Sequence, residues 1–331
     1  MHFLPDLHQR VPDISIDGFV GIGHRREGKV AATQQSFFCW RPATSSMSMV
    51  IFSMMQVAGA PLPRDLIARY LAILEVARVD PGLGALRDLV AAHLTRIPFE
   101  NISKLYYRKR LGLVGLPDIH LYLEGIEKHH FGGTCYSNNY HFHLLLRSLG
   151  YEARLCAAGM NTPEVHAVNM ILIDGREYLA DTGYAAPLLE PIPRDLETDY
   201  EIKLGRDRYV LKPQDANGCS RLELYRDGAL RHGYLAKPAA RKIEDFSKVI
   251  AGSFAANATF MNSILLARFY PSRSVVIHNL TLIESDKDKS NVHALASRDE
   301  LIAAIEQHFG MPQDIVSEAV HGLGVLQDAW N

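Results

Sequence analysis

The chain has 331 residues, 47% of them hydrophobic and 22% charged, with a formal net charge of −2. That is the composition of a soluble globular protein, long enough for two or three packed subdomains. The near balance of charge gives no field that would draw a nucleic acid or an anionic membrane, and the densest basic run, Tyr107-Arg108-Lys109-Arg110, reads as a solvated face.

In chain order, residues 1–60 carry scattered Gly and Pro and no lasting helical or strand period, as expected of a poorly ordered extension. The alternative expectation is a mis-assigned start, with a shorter chain beginning at Met47, Met49, Met54 or Met55. The apolar stretch from Met47 to Leu62 is short for a membrane span. Roughly 45 mixed polar residues precede it, unlike a standard signal peptide, so a cytoplasmic protein is expected. The 4 cysteines, Cys39, Cys135, Cys156 and Cys219, form neither a C-x-x-C pair nor a zinc ligand set. Scattered single thiols of this kind fit a reducing compartment.

After Pro63 the pattern becomes regular. Leu66, Ile67, Tyr70, Leu71 and Leu74 fall at helical spacing, and so do Leu86, Leu89, Val90, His93 and Leu94. The second run stops at Ile97-Pro98, and His93 on its apolar stripe reads as a core histidine. A third helix is predicted from Thr134, as its cap, to Gly150, as its stop. Together these make a helical subdomain over 61–150. From Glu152 the period shifts toward two. Hairpins are predicted over 164–182 around Asp174-Gly175, at Gly205-Arg206-Asp207 and at Asp227-Gly228, implying an antiparallel meander or barrel over 151–250. In 251–331, Ser274 to Ile283 alternates like one strand. Ser297-Arg298-Asp299-Glu300 is a capping box before Leu301, Ile302, Ile305 and Phe309, with Gly310 as the stop.

The most informative segment is Phe131-Gly132-Gly133-Thr134-Cys135. Adjacent glycines permit positive φ and close approach to a ligand. A cysteine in the first turn of a helix faces unpaired N–H groups and the positive dipole end, which favours a thiolate nucleophile and an oxyanion. A lone cysteine is equally an inert buried hydrophobe. The hairpin adds weight: with a two-residue turn at Asp174-Gly175, Ile173 faces Arg176, Val168 faces Asp181 and His166 faces Gly183. His166 and Asp181 are then diagonal neighbours on one face, about 7 to 8 Å apart and within side-chain reach. A carboxylate on the imidazole fixes its tautomer and leaves the other nitrogen for a thiol. A one-residue slip would separate them.

Three segments resemble the arylamine N-acetyltransferase family: Ile97-Pro98-Phe99-Glu100-Asn101, Gly132-Gly133-Thr134-Cys135, and Val165-His166 followed by Tyr178-Leu179-Ala180-Asp181-Thr182-Gly183-Tyr184. The resemblance spans roughly residues 60–331. It implies an α+β, cysteine-protease-like fold of a helical bundle, then an antiparallel β-barrel, then an α/β lid. It implies catalysis by Cys135, His166 and Asp181. Acetyl-coenzyme A would act as co-substrate with no bound cofactor, and an aromatic amine or hydrazine would accept the acyl group in ping-pong fashion. Phe131 stands where the family usually has arginine, Ser137 where it has an acid, and Tyr184 where it has phenylalanine. Without the arginine, Glu100 needs another partner, from Arg96 or Lys104, or a raised pKa.

No phosphate-cradling motif places coenzyme A on individual residues. His129-His130 and His141-Phe142-His143 lack metal-site spacing, so no metal is expected. Asn101-Ile102-Ser103 has the glycosylation pattern, irrelevant in a cytoplasmic protein. The rivals are a cysteine amidase or peptidase on a related scaffold, and a non-catalytic binding protein that keeps the fold.

Overall fold

In the computed structural model, which describes residues 61–326, the apolar stripe after Pro63 becomes helix α1 (Arg64–Leu74) and buries Leu66, Ile67, Tyr70, Leu71 and Leu74. The extension expected over 1–60 lies outside the described residues. Helix α2 (Leu83–Arg96) ends before Pro98, whose ring disfavours a helical residue ahead of it. His93 is fully buried between Tyr70 and Phe142, and burial lowers its imidazole to about 3. The chain then extends as strand β1 (Phe99–Glu100) and turns into α3 (Ile102–Leu111) and α4 (Ile119–His129). Neither of these two helices is anticipated from periodicity. The C-terminal turn of α3 is a solvated basic run in which Lys109 and Arg110 reach Glu318. Asp118 starts α4 by accepting from the Leu121 amide at 2.8 Å. Helix α5 (Cys135–Leu149) begins after Thr134 and ends at Gly150, whose φ of 100° needs a residue without Cβ. Thr134 holds the cap position, but its side chain makes no capping hydrogen bond.

Eight strands follow: β2 (Glu152–Gly159), β3 (His166–Ile173), β4 (Arg176–Ala180), β5 (Ile192–Pro193), β6 (Tyr200–Leu204), β7 (Asp207–Leu211), β8 (Ser220–Arg226) and β9 (Ala229–Ala240). They form an antiparallel half-barrel in the order β5-β4-β3-β2-β9-β8-β7-β6. All three expected hairpins are present. Asp174-Gly175 and Asp227-Gly228 both take positive φ at the two turn residues, the geometry that matches strand twist. The β3–β4 register runs from Ile173 opposite Arg176 to Asn169 opposite Ala180, as the two-residue turn requires.

The last third opens with a short helix α6 (Ser247–Gly252) and continues into β10 (Leu265–Tyr270), β11 (Arg273–His278), β12 (Thr281–Asp286) and β13 (Ser290–Ala294). Together with β1 they form a second antiparallel sheet, ordered β1-β10-β11-β12-β13. The single strand expected over Ser274 to Ile283 is therefore two, split by a turn in which Asn279 adopts a φ of 49°. The two-residue turn shifts the phase, so that Val275 and Ile277 of β11 and Leu282 of β12 enter the same core, and the apolar run through Ile283 conceals the break. Helices α7 (Arg298–Phe309) and α8 (Gln313–His321) cover this sheet. Half of the capping box forms: Ser297 accepts from the Glu300 amide at 3.2 Å, while the Glu300 carboxylate reaches past the cap and accepts from the Ala296 amide at 2.7 Å.

The architecture is α+β. One apolar core joins α1, α2, α4 and α5 to the half-barrel, and a second joins α3 to the five-stranded sheet, α7 and α8. A third, containing Phe99, Cys135, Phe246 and Phe260, lies where the two meet. Asn101 fastens that junction. Its amide donates to Phe260 O at 3.0 Å and Ser263 O at 2.7 Å, and its carbonyl accepts from Leu265 N at 2.9 Å. Replacing Asn101 with alanine would orphan three buried backbone groups, at a cost of roughly 3 kcal/mol. A urea midpoint for Asn101→Ala equal to that of the wild type would refute this role.

Candidate active site

The thiol of Cys135 is placed by the turn that precedes it. Gly133 forms a bridge to Phe99, with Glu100 N donating to Gly133 O at 3.1 Å, so the turn lies along β1. A Cβ on Gly132 would fall 1.9 Å from Pro98 O, and one on Gly133 would fall 2.6 Å from Ser137 Cβ. Neither glycine is among the described residues of positive φ. The expectation that they supply left-handed backbone is thus corrected: what they supply is room for the turn to touch β1 and α5. Cys135 then takes the first position of α5, and its Sγ donates to Val165 O at 3.6 Å.

Val165 leads into β3, and the hairpin register delivers the next two groups. His166 Nε2 lies 2.7 Å from Asp181 Oδ2, and both side chains are fully buried. The structure therefore brings together all three residues singled out from the sequence. Burial opposes a charged imidazole, but the Asp181 carboxylate, with a further contribution from the Cys135 thiol, overcomes it and lifts His166 to about 10. Burial likewise opposes the Asp181 carboxylate, yet the His166 ring and donated hydrogen bonds hold it below its ordinary range. The ring's second nitrogen, Nδ1, is buried and makes no other hydrogen bond.

Asn139 was not anticipated. One turn after Cys135, it shares that residue's helix face. Its Nδ2 donates to Asp181 Oδ1 at 2.8 Å and Ala167 O at 2.7 Å, while its Oδ1 accepts from Thr182 N at 2.9 Å. Gly183 is a close-approach residue, since a Cβ there would lie 2.5 Å from both Asn139 Nδ2 and Cys135 O. Tyr184 and Tyr234 flank the His166 ring at centroid distances of 5.7 and 5.0 Å, and Tyr184 Oη is 2.6 Å from His232 Nδ1.

Glu100 is fully buried and finds neither cation considered from the sequence. Arg96 pairs with Glu75, and Lys104 donates to Ser253 Oγ at 2.6 Å. The Glu100 carboxylate instead accepts from Ser103 N at 2.9 Å and Gly132 N at 3.1 Å, while burial raises its pKa. Phe131 packs among Tyr106, Tyr107 and His129. Ser137 is buried and lines a cavity of about 30 Å³. His141 and His143 point apart, to Pro117 O at 3.1 Å and Asn169 Oδ1 at 2.9 Å. Among the described residues no cluster of His, Cys, Asp or Glu could hold a metal ion, and no helix is long and apolar enough to cross a membrane.

The sequence model of the family described as N-acetyltransferase matches residues 82–316. The chain belongs to that family. Among curated relatives of this N-acetyltransferase, proansamycin X synthase of Amycolatopsis mediterranei strain S699 is 21% identical over 237 residues, covering 68% of this chain and 89% of the relative. Two solved structures share its fold. The Nocardia farcinica arylamine N-acetyltransferase is 26% identical with a TM-score of 0.63, covering 77% of this chain and 93% of that one. The Mycobacterium marinum arylamine N-acetyltransferase in complex with CoA is 21% identical with a TM-score of 0.65, covering 78% and 99%.

The buried pair has a pH signature. A histidine whose folded pKa is raised contributes stability that is complete below its unfolded value and is lost as pH climbs through the folded one. For His166 the loss falls between about pH 6.5 and about pH 10. Urea midpoints of the wild type should decline across that window, and the decline should shrink in Asp181→Asn, which lacks the charge that lifts the ring. Parallel wild-type and variant profiles would contradict a charged pair.

Proposed function

We propose that this N-acetyltransferase-family enzyme transfers an acyl group from acyl-coenzyme A to an aromatic amine or hydrazine through a thioester on Cys135, with His166 as base and Asp181 orienting it. The observation that carries the reading is the buried 2.7 Å contact between His166 Nε2 and Asp181 Oδ2, which commits one ring nitrogen and leaves Nδ1 for the thiol. The coenzyme A complex of the M. marinum relative supports the choice of donor.

In the first half-reaction Cys135 attacks the thioester carbonyl carbon as the thiolate, its proton held on Nδ1 of the His166 imidazolium that Asp181 stabilises. A bond forms between Sγ and the acyl carbon. The developing oxyanion is stabilised by N–H groups of the first turn of α5, which have no intrahelical acceptors. The bond from that carbon to the coenzyme A sulfur breaks, and the imidazolium returns its proton to the departing thiolate. In the second half-reaction the amine nitrogen attacks the Cys135 thioester, His166 takes the amine proton, and the Cys135 thiolate leaves. Asp181, held by Asn139 and the Gly183 and Tyr184 amides at 2.8, 3.0 and 3.0 Å, keeps the ring in register through both steps. The described cysteines, Cys135, Cys156 and Cys219, are free thiols, which fits a reducing, cytoplasmic setting.

Incubation with acyl-coenzyme A should leave an acyl mass on Cys135 and release one equivalent of coenzyme A thiol before any amine is added. Cys135→Ala should abolish both. Double-reciprocal plots at varied donor and amine should be parallel. No adduct and no thiol release with any short acyl donor would sink the proposal and favour a hydrolase.

A further inference from the structure

Beside the Cys135 sulfur stands a cation that no acid accompanies among the described residues. Lys104, on α3, shares with Cys135 the lining of a cavity of about 40 Å³ whose other walls include Thr134, Tyr136, Val165 and Phe260. Its Nζ donates to Ser253 Oγ at 2.6 Å and lies 4.0 Å from the centroid of the Phe254 ring. Among the described residues no carboxylate lies within ion-pair distance of it, and the one other titratable group that acts on it is the Cys135 thiol. Burial pulls the ammonium down to about 8, with the thiol opposing the shift, so the charge persists at neutral pH. A half-buried charge with one hydroxyl and one ring as company is underpaired, and an anion brought to it recovers part of the desolvation cost.

We propose that the acyl group loaded on Cys135 ends in a carboxylate, as in a short dicarboxylic monothioester, and that Lys104 is the residue that binds it. This rests on Cys135 being the acylated nucleophile. The size of the cavity assigns the anion to the acyl chain rather than to the acceptor. An apolar hole that takes benzene measures about 150 Å³, whereas the two described cavities that Lys104 lines, of about 40 and 30 Å³, each suit a chain of a few atoms. The chemistry at the thioester is that of the ordinary transfer: the distal carboxylate makes and breaks no bond and pairs with Nζ throughout.

The test is competitive acylation of the full-length protein, with acetyl-, butyryl- and malonyl-coenzyme A offered in pairs and the adduct on Cys135 read by intact mass. Butyryl matches malonyl in length without the charge. Malonyl should win over butyryl by about tenfold or more, the usual worth of a charge-assisted contact. In Lys104→Met that ratio should collapse toward unity, and Lys104→Arg should retain part of it. Equal loading of malonyl and butyryl by the wild type overturns the proposal, and this result does not depend on how the variants fold. So does a ratio unmoved in Lys104→Met. A preference for 4-aminobenzoate over aniline that depends on Lys104, without any donor preference, also overturns it by placing the anion on the acceptor. Failure of every donor to form an adduct is a different result: it removes the acyl-transfer reading itself, and this inference with it.

Discussion

A fully buried carboxylate has to be compensated on every side, and the way Asp181 is compensated organises this molecule. Oδ1 accepts from Asn139 on α5 and from the amides of Gly183 and Tyr184; Oδ2 faces His166 on β3. Four groups from a helix, a strand and a loop converge on one side chain. An unpaired charge at this depth is costly enough to unfold a domain, so the helix that carries the thiol and the hairpin that carries the imidazole cannot move apart without exposing it. Asn139 extends the clamp, since the same amide that serves Asp181 also ties Ala167 O, and its oxygen holds Thr182 N. Catalytic geometry and the seam between helical layer and half-barrel are thus one set of hydrogen bonds.

What was legible in the sequence was whatever short-range rules decide. The Asp174-Gly175 turn dictates a two-residue connection, and that alone carries the register out to His166 and Asp181, fifteen residues apart in the chain. The start and stop of α5 follow from Thr134 and Gly150, although the threonine proves to mark the place rather than bond there. What escaped was decided by distant partners. Gly132 and Gly133 read as flexible backbone, but the residues they make room for, Pro98 and Ser137, become visible only after β1 and α5 are assembled. Helix α3 is wrapped in polar and basic residues and declares no stripe. Asn139 is the exception, for its spacing of four from Cys135 put it on the nucleophile's own face.

The departures from the family pattern have local explanations. Where arginine would stand, Phe131 completes an aromatic group with Tyr106, Tyr107 and His129. Glu100 is then served by the amides of Ser103 and Gly132, with its carboxyl shifted up by burial. That arrangement keeps the nucleophile turn bound to β1 without a guanidinium. It also leaves the neighbouring Lys104 with no carboxylate partner among the described residues, turned toward the cavity beside Cys135.

Asn101 carries one more consequence. It heads a sequon, Asn101-Ile102-Ser103, yet its amide nitrogen spends both hydrogens on Phe260 O and Ser263 O in a site closed to solvent. An oligosaccharide attached there during synthesis would occupy that nitrogen and could not be accommodated between β1 and β10. Passage of this polypeptide through an oligosaccharyltransferase-bearing membrane would therefore trap it short of its native state, an obstacle to any attempt to secrete the protein from a eukaryotic host.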